Sequence, residues 1–109
     1  MPKKYKVKTT EFALNQIIEI KKYIENELKA PDTAYIWLKQ IKESLKSLST
    51  FPAKFPIIED KLFDADIHRL VLGKHLVYYW IDEENHRVWV IAVLYAGRDQ
   101  LREFKNLII

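Results

Sequence analysis

The sequence predicts an α+β fold in which an N-terminal αα-hairpin packs on an antiparallel sheet of three to four strands. Before residue 50, apolar residues recur every three or four positions, which is the spacing of amphipathic helices. After residue 66, apolar residues alternate with polar ones or form short apolar runs, which is typical of strands. The predicted order is β-α-α-β-β-β followed by a short C-terminal helix, in one domain over residues 1–109.

The first strand and the first helix are predicted from the N-terminal residues. In the stretch KYKVKTT, Tyr5 and Val7 alternate with lysines, which is the pattern of a half-buried strand. Thr9 or Thr10 can then cap a helix, because a side-chain hydroxyl accepts a hydrogen bond from an amide of the first turn. The apolar face of this helix comprises five residues: Ala13, Ile17, Ile20, Ile24 and Leu28.

A second helix is predicted after a short break. Pro31 disfavours helical geometry at Ala30, and Asp32 is predicted to cap the next helix. The apolar stripe of that helix has spacings of four, three, four and three: Ala34, Leu38, Ile41, Leu45 and Leu48. Because so short a connection joins two helices of similar length, the helices must lie antiparallel.

Three strands are predicted in the last third of the chain. Gly73 separates two apolar runs, IHRLVL and HLVYYWID, which indicates a β-hairpin. The run RVWVIAVLYA is apolar on both alternating faces, so it is predicted to be a central strand that is covered on both sides. The helices can cover one face, and the segment QLREFKNLII is predicted to form a short helix that closes the other.

The composition excludes several kinds of function. The 109 residues include no cysteine, which excludes disulfides, thiolate zinc sites and cysteine nucleophiles. His68 and His86 lack the spacing of metal ligands, so neither a metal nor a cofactor is predicted. The net charge of +3 is too small for a polybasic arm that binds nucleic acid. No apolar run is long enough to span a bilayer, so a cytoplasmic protein that does not contact membranes is expected.

Two motifs near the C-terminus resemble a known family. DIHRLxxGKHLVYYxID is followed by VxVIAVLYAGRD, behind a helical hairpin and a proline-bounded loop. In this order and spacing the sequence resembles the RelE/ParE superfamily of type II toxin–antitoxin toxins, from Tyr5 to about Phe104. The resemblance implies a RelE/ParE-like fold and a growth-inhibiting toxin of the plasmid stabilisation type. It also implies a cognate antitoxin, with a homodimer or a toxin–antitoxin hetero-oligomer as the assembly.

The superfamily divides by cellular target. RelE-like members cut mRNA on the ribosome with a cluster of lysine, arginine and tyrosine or histidine, whereas ParE-like members inhibit DNA gyrase and generally lack the full cluster. Strand parity places Arg69, His75 and Tyr79 at exposed or half-exposed positions. The candidate residues for toxin activity are five: Arg69, Lys74, His75, Tyr79 and Arg98.

Three departures from the RelE-like pattern favour the ParE-like interpretation. His75 stands where RelE-like toxins carry an arginine, and Phe104 stands where they carry a tyrosine that can transfer a proton. The acidic stretch EDKLFDAD replaces a basic run and would repel an RNA phosphate. A gyrase inhibitor that works by binding is therefore favoured. A RelE-like mRNA endonuclease is the alternative, an inert domain that keeps the toxin fold is the second alternative, and enzymatic activity stays open.

The end of the last predicted strand carries the final candidate. Gly97 allows a sharp break in the chain, so Arg98 is predicted to project into solvent from the end of a buried strand. An arginine held there could contact a phosphate or a protein surface. The alternative is that Asp99 only caps a following helix and that Arg98 is an ordinary surface charge.

Overall fold

The computed structural model describes residues 4–59 and 64–96, and it confirms the α+β fold class. The helices are α1 (Glu11–Lys22), which continues into one π-helical turn (Tyr23–Glu27), and α2 (Pro31–Ser47); a short 3₁₀ turn (Pro52–Lys54) follows. The strands are β1 (Lys6–Thr9), β2 (Ile67–Leu72), β3 (His75–Asp82) and β4 (Arg87–Tyr95). The predicted C-terminal helix, like Gly97 and Arg98, lies outside the described residues.

The four strands form one sheet in the order β1-β4-β3-β2. β2, β3 and β4 are antiparallel as predicted, but β1 pairs with β4 in parallel, so the sheet is mixed. β1 and β4 are parallel because the two helices bring the chain back to the end of the sheet where β1 begins. There the Tyr5 amide donates to the Ser49 carbonyl at 2.8 Å. β2 therefore starts from that same end, and two hairpin turns give β4 the direction of β1.

The two helices form the predicted hairpin, although their ends differ in detail. The hydroxyl of Thr10 accepts from the Ala13 amide at 3.2 Å and caps α1. α2 begins at Pro31 with Ala30 as its cap residue, so Asp32 lies inside the first turn and is not the cap. Proline suits the first helical position, because its missing N–H would have no partner in the helix.

A β-bulge divides β4 into two parts with opposite alternation. Tyr78 pairs with Ala92, whereas the next residue of β3, Tyr79, pairs with Val90, so Ile91 is the extra residue. Val90 faces the helices before the bulge, and Val93 does so after it. β4 thus packs apolar side chains against both faces, as its composition predicts.

The sheet has an apolar core on each face. The larger core lies between the helices and the sheet, and its buried residues include Ala13, Ile17, Ile41, Val77 and Val90. The smaller core on the opposite face contains Ile67, Tyr78, Ala92 and Leu94. Ile58 and Ala65 from the connection between α2 and β2 pack against this second core.

Thr10, the cap residue of α1, and Gln16 within α1 complete the hydrogen bonding of β4 beyond the end of β1. The Thr10 amide donates to the Val90 carbonyl at 3.0 Å, and the Thr10 hydroxyl lies 3.4 Å from the Ile91 carbonyl. The amide of Val93 donates to Gln16 Oε1 at 2.8 Å. These contacts hold α1 on the sheet next to the bulge, since each satisfies a backbone group that β1 is too short to reach.

The Gln16 contact predicts a stability difference between two variants. Gln16→Leu removes the acceptor, so the Val93 amide loses its partner and the free energy of unfolding should fall by about 1 kcal/mol or more. Gln16→Glu keeps a side-chain oxygen at the same position and should lose much less. Denaturant unfolding at pH 7.5 measures both variants, and equal losses would show that this hydrogen bond contributes nothing.

Candidate functional site

An open groove of about 950 Å³ lies between the helical hairpin and one end of the sheet. Its sheet side carries Leu72, Val93 and Tyr95, together with the Gly73–Lys74 turn. Apolar residues dominate the helical walls: Ile20, Tyr23, Ile24, Leu28, Ile36 and Trp37. The walls also carry a few polar groups, which are Gln16, Glu19, Thr33 and Gln40. An apolar cleft with few polar groups is the usual form of a binding site.

The π-helical turn at the end of α1 shapes one wall of the groove. The amide of Leu28 donates to the Tyr23 carbonyl, five residues back, at 3.2 Å. This wider turn ends the regular helical spacing. Leu28 is 56% exposed, so the prediction that it packs in the core is wrong. Tyr23 is 55% exposed. Single π turns occur often at functional sites, and this one leaves apolar side chains facing the groove.

His75 lies on the sheet side of the groove, at the start of β3. Gly73 has a φ of +58°, which permits the tight turn before it. Nδ1 of His75 accepts a hydrogen bond from Nε1 of Trp37 at 3.2 Å. The ring centroid lies 5.2 Å from that of Trp37 and 5.9 Å from that of Tyr95, both edge-on. Partial burial lowers the pKa of His75 below its usual value, so the neutral ring predominates at pH 7.

Tyr79 is fully buried, so its predicted exposure is wrong. Its hydroxyl donates to the Pro52 carbonyl, and its ring stacks on His68 with centroids 5.1 Å apart. The helices and the loop that starts at Pro52 cover this face of β3, which strand parity alone could not show. Burial raises the pKa of Tyr79 to about 12, although a backbone hydrogen bond at Phe55 lowers it in part. Tyr79 therefore stays protonated at neutral pH and fastens the loop.

The loop after α2 also covers the outer edge of β2. Nδ1 of His68 lies 2.7 Å from the Phe55 carbonyl. The amide of Arg69 donates to the Pro56 carbonyl at 3.0 Å, and the Ile58 amide donates to the Ile67 carbonyl at 2.8 Å. The loop is thus bonded to the sheet through backbone and side chains alike.

The four candidate residues that the structure describes do not form one cluster. Arg69 is exposed as predicted, but it pairs with Tyr78 and lies on the face opposite His75. Lys74 is exposed and lies beside His75 on the groove. Arg98 lies outside the described residues. Among the described candidates the structure brings together Lys74 and His75, and it separates Arg69 and Tyr79 from them.

Within residues 4–59 and 64–96, no group of three or more histidine or acidic side chains could hold a metal ion. In the same residues, no helix combines the length and the apolar character needed to cross a bilayer.

A sequence model described as "ParE toxin of type II toxin-antitoxin system, parDE" matches residues 7–100. The chain belongs to the ParE toxin family. No curated protein matches the sequence significantly. Among solved structures, the chromosomal ParDE system of P. aeruginosa is similar, with 14% identity and a TM-score of 0.68 over 84% of this chain and 95% of that one.

Two RelE-type structures are also similar to this ParE-family chain. The RelBE2 toxin–antitoxin complex of Mycobacterium tuberculosis has 19% identity and a TM-score of 0.62, over 87% of this chain and 94% of that chain. A free E. coli RelE mutant has 20% identity and a TM-score of 0.61, over 97% of this chain and 98% of that one. These matches confirm the RelE/ParE-like fold. The assignment to this toxin superfamily is confirmed by the family model over residues 7–100.

The two aromatic residues of this ParE-family protein that contact His75, Trp37 and Tyr95, are not among the site residues that the sequence predicts. Trp37 is only 7% exposed and belongs to the main core, whereas the predicted Leu38 is partly buried and packs against that core. A signal was present, because Trp37 lies three residues after Ala34 and four before Ile41. Tryptophan also carries an N–H that needs an acceptor when the ring is buried.

The raised pKa of Tyr79 predicts a stability loss at high pH. Unfolded tyrosine ionises near pH 10.0, below the folded pKa of about 12, so the free energy of unfolding falls as pH rises through this interval. At pH 8, Tyr79→Phe should be less stable than wild type by about 1–3 kcal/mol, because the buried Pro52 carbonyl loses its donor.

Between pH 10 and 12 the difference between the two proteins should shrink by up to about 2 kcal/mol, since phenylalanine does not ionise. Denaturant unfolding at pH 8 and pH 11 measures this change. A difference that is independent of pH would contradict the assigned burial of the Tyr79 hydroxyl.

Proposed function

We propose that this ParE-family toxin inhibits growth by binding DNA gyrase, and that it is not a ribosome-dependent nuclease. The observation that carries the proposal is the separation of the described candidate residues. A binding toxin needs a surface that fits its target, whereas a nuclease needs several side chains around one phosphate.

The geometry of the candidates disfavours RNA cleavage. Attack by a 2′-hydroxyl needs a base, a cation for the phosphate oxygens and an acid for the leaving oxygen within reach of one phosphate. The hydroxyl of Tyr79 is buried and bonded to the Pro52 carbonyl. Arg69 lies on the sheet face opposite His75. Lys74 and His75 remain as neighbours, and the basic nitrogen of that histidine already accepts from Trp37.

We also propose that the groove binds a cognate antitoxin. Its walls include three apolar side chains that are more than half exposed: Tyr23 at 55%, Leu28 at 56% and Ile36 at 55%. Exposed apolar surface in a concave site is typical of a protein interface. The similar RelBE2 structure is itself a toxin–antitoxin complex. An extended or helical segment of the antitoxin with an apolar face would bury these side chains.

Controlled expression in a bacterial host tests the target. We expect growth arrest with induction of a DNA-damage reporter, uncut mRNA in translating cells, and inhibition of purified gyrase in a supercoiling assay. mRNA cut in the ribosomal A site without DNA damage would contradict the proposal and favour the RelE-like alternative. Normal growth with abundant folded protein would favour an inert domain.

A further inference from the structure

The contact between Trp37 and His75 determines which nitrogen of the histidine carries the proton. Nε1 of Trp37 can only donate, so Nδ1 of His75 must be the acceptor across their 3.2 Å separation. In a neutral imidazole the other nitrogen then carries the hydrogen. His75 is therefore an Nε2–H donor.

The Nε2 atom of His75 is accessible from the groove. In the part of the chain that the structure describes, no buried side-chain nitrogen or oxygen lacks a hydrogen bond. The ring makes its hydrogen bond there through Nδ1, and the residue lines the groove. Nε2 has no such hydrogen bond, so it cannot be one of the buried nitrogens. We therefore place Nε2 of His75 at the surface of the groove.

The ring of His75 is held firmly around this donor. Trp37 is 7% exposed and fixed in the main core, and its ring meets that of His75 edge-on at 5.2 Å. Tyr95 contacts the same ring edge-on at 5.9 Å. Among the described residues, the charged groups that line the groove with His75 are Glu19 and Lys74. A donor fixed by two aromatic rings loses little conformational entropy when it binds an acceptor.

We propose that Trp37 is a positioning residue that holds His75 as an Nε2–H donor to an acceptor oxygen of the bound antitoxin. This inference rests on the proposed docking of the antitoxin in the groove. The partner is then an antitoxin segment whose apolar side chains contact Ile36 and Leu28 and which presents one backbone or side-chain oxygen to His75. An acceptor at this position would be unpaired in a complex that lacked the donor.

The tautomer of His75 is tested first by ¹⁵N NMR of the imidazole in the free toxin. At pH 7.5 the wild type should show the Nε2–H form with Nδ1 unprotonated. Trp37→Phe keeps an aromatic ring but removes the donor, so the two tautomers should mix. The pKa of His75 should also rise, because the hydrogen bond that favours the neutral ring is lost. A predominantly Nδ1–H wild-type ring would overturn the inference.

Binding of the antitoxin encoded in the toxin's own operon is tested by calorimetric titration. His75→Leu should weaken affinity about tenfold, since the acceptor of the antitoxin is then buried without a donor. His75→Gln places an amide N–H near the position of Nε2 and should restore most of the affinity. Trp37→Phe should weaken binding by a smaller factor, and melting temperatures of all variants verify that they are folded.

Two reference variants separate this inference from the proposed docking site. Ile36→Asp introduces a charge into the groove and should abolish binding, whereas Val71→Asp, at an exposed position outside the groove, should leave it unchanged. If Ile36→Asp binds like wild type, the docking site is wrong. If Ile36→Asp fails to bind while His75→Leu and Trp37→Phe bind like wild type, the docking site stands and the role of His75 is wrong.

Discussion

The β-bulge at Ile91 is the constraint on which the groove depends. It reverses the alternation of β4, so that Val93 and Tyr95 lie on the helical face together with their partners on β3. A regular β4 that kept the register of its first half would turn Tyr95 to the opposite face, away from His75. Backbone groups near a bulge need partners from elsewhere, and α1 supplies one through the Gln16 side chain. The bulge therefore both places Tyr95 on the groove and provides the backbone amide through which α1 is held on the sheet.

Most of the fold could be predicted from the sequence because its signals are local. The period of the apolar residues predicts both helices, and Gly73 between two apolar runs predicts the hairpin of β2 and β3. Three features depend on tertiary contacts and carry no such signal. These are the parallel pairing of β1, the bulge in β4 and the π turn at Tyr23–Glu27. Periodicity shows that a segment is a strand or helix, but it does not show which neighbour the segment pairs with.

The candidate site was less predictable because its residues come from distant parts of the chain. The sequence predicts Lys74 and His75 as two of the candidate residues, and both lie on the groove. Strand parity predicts that Tyr79 is exposed or half-exposed, but the loop at Pro52 covers it. Trp37 precedes its partner by 38 residues. Its role follows from the pairing of two side chains, which no spacing along the chain encodes.

The loop that Tyr79 fastens also has a consequence for self-association. An edge strand with unpaired backbone groups is a template on which another chain can extend the sheet. Residues 56–58 occupy that position beside the first half of β2, with one β-bridge between Ile57 and His68. The apolar groove is open in the free chain, whereas this part of the sheet edge is closed. The bond from the Tyr79 hydroxyl to the Pro52 carbonyl thus helps to hold a loop that makes this part of the edge unavailable for strand addition.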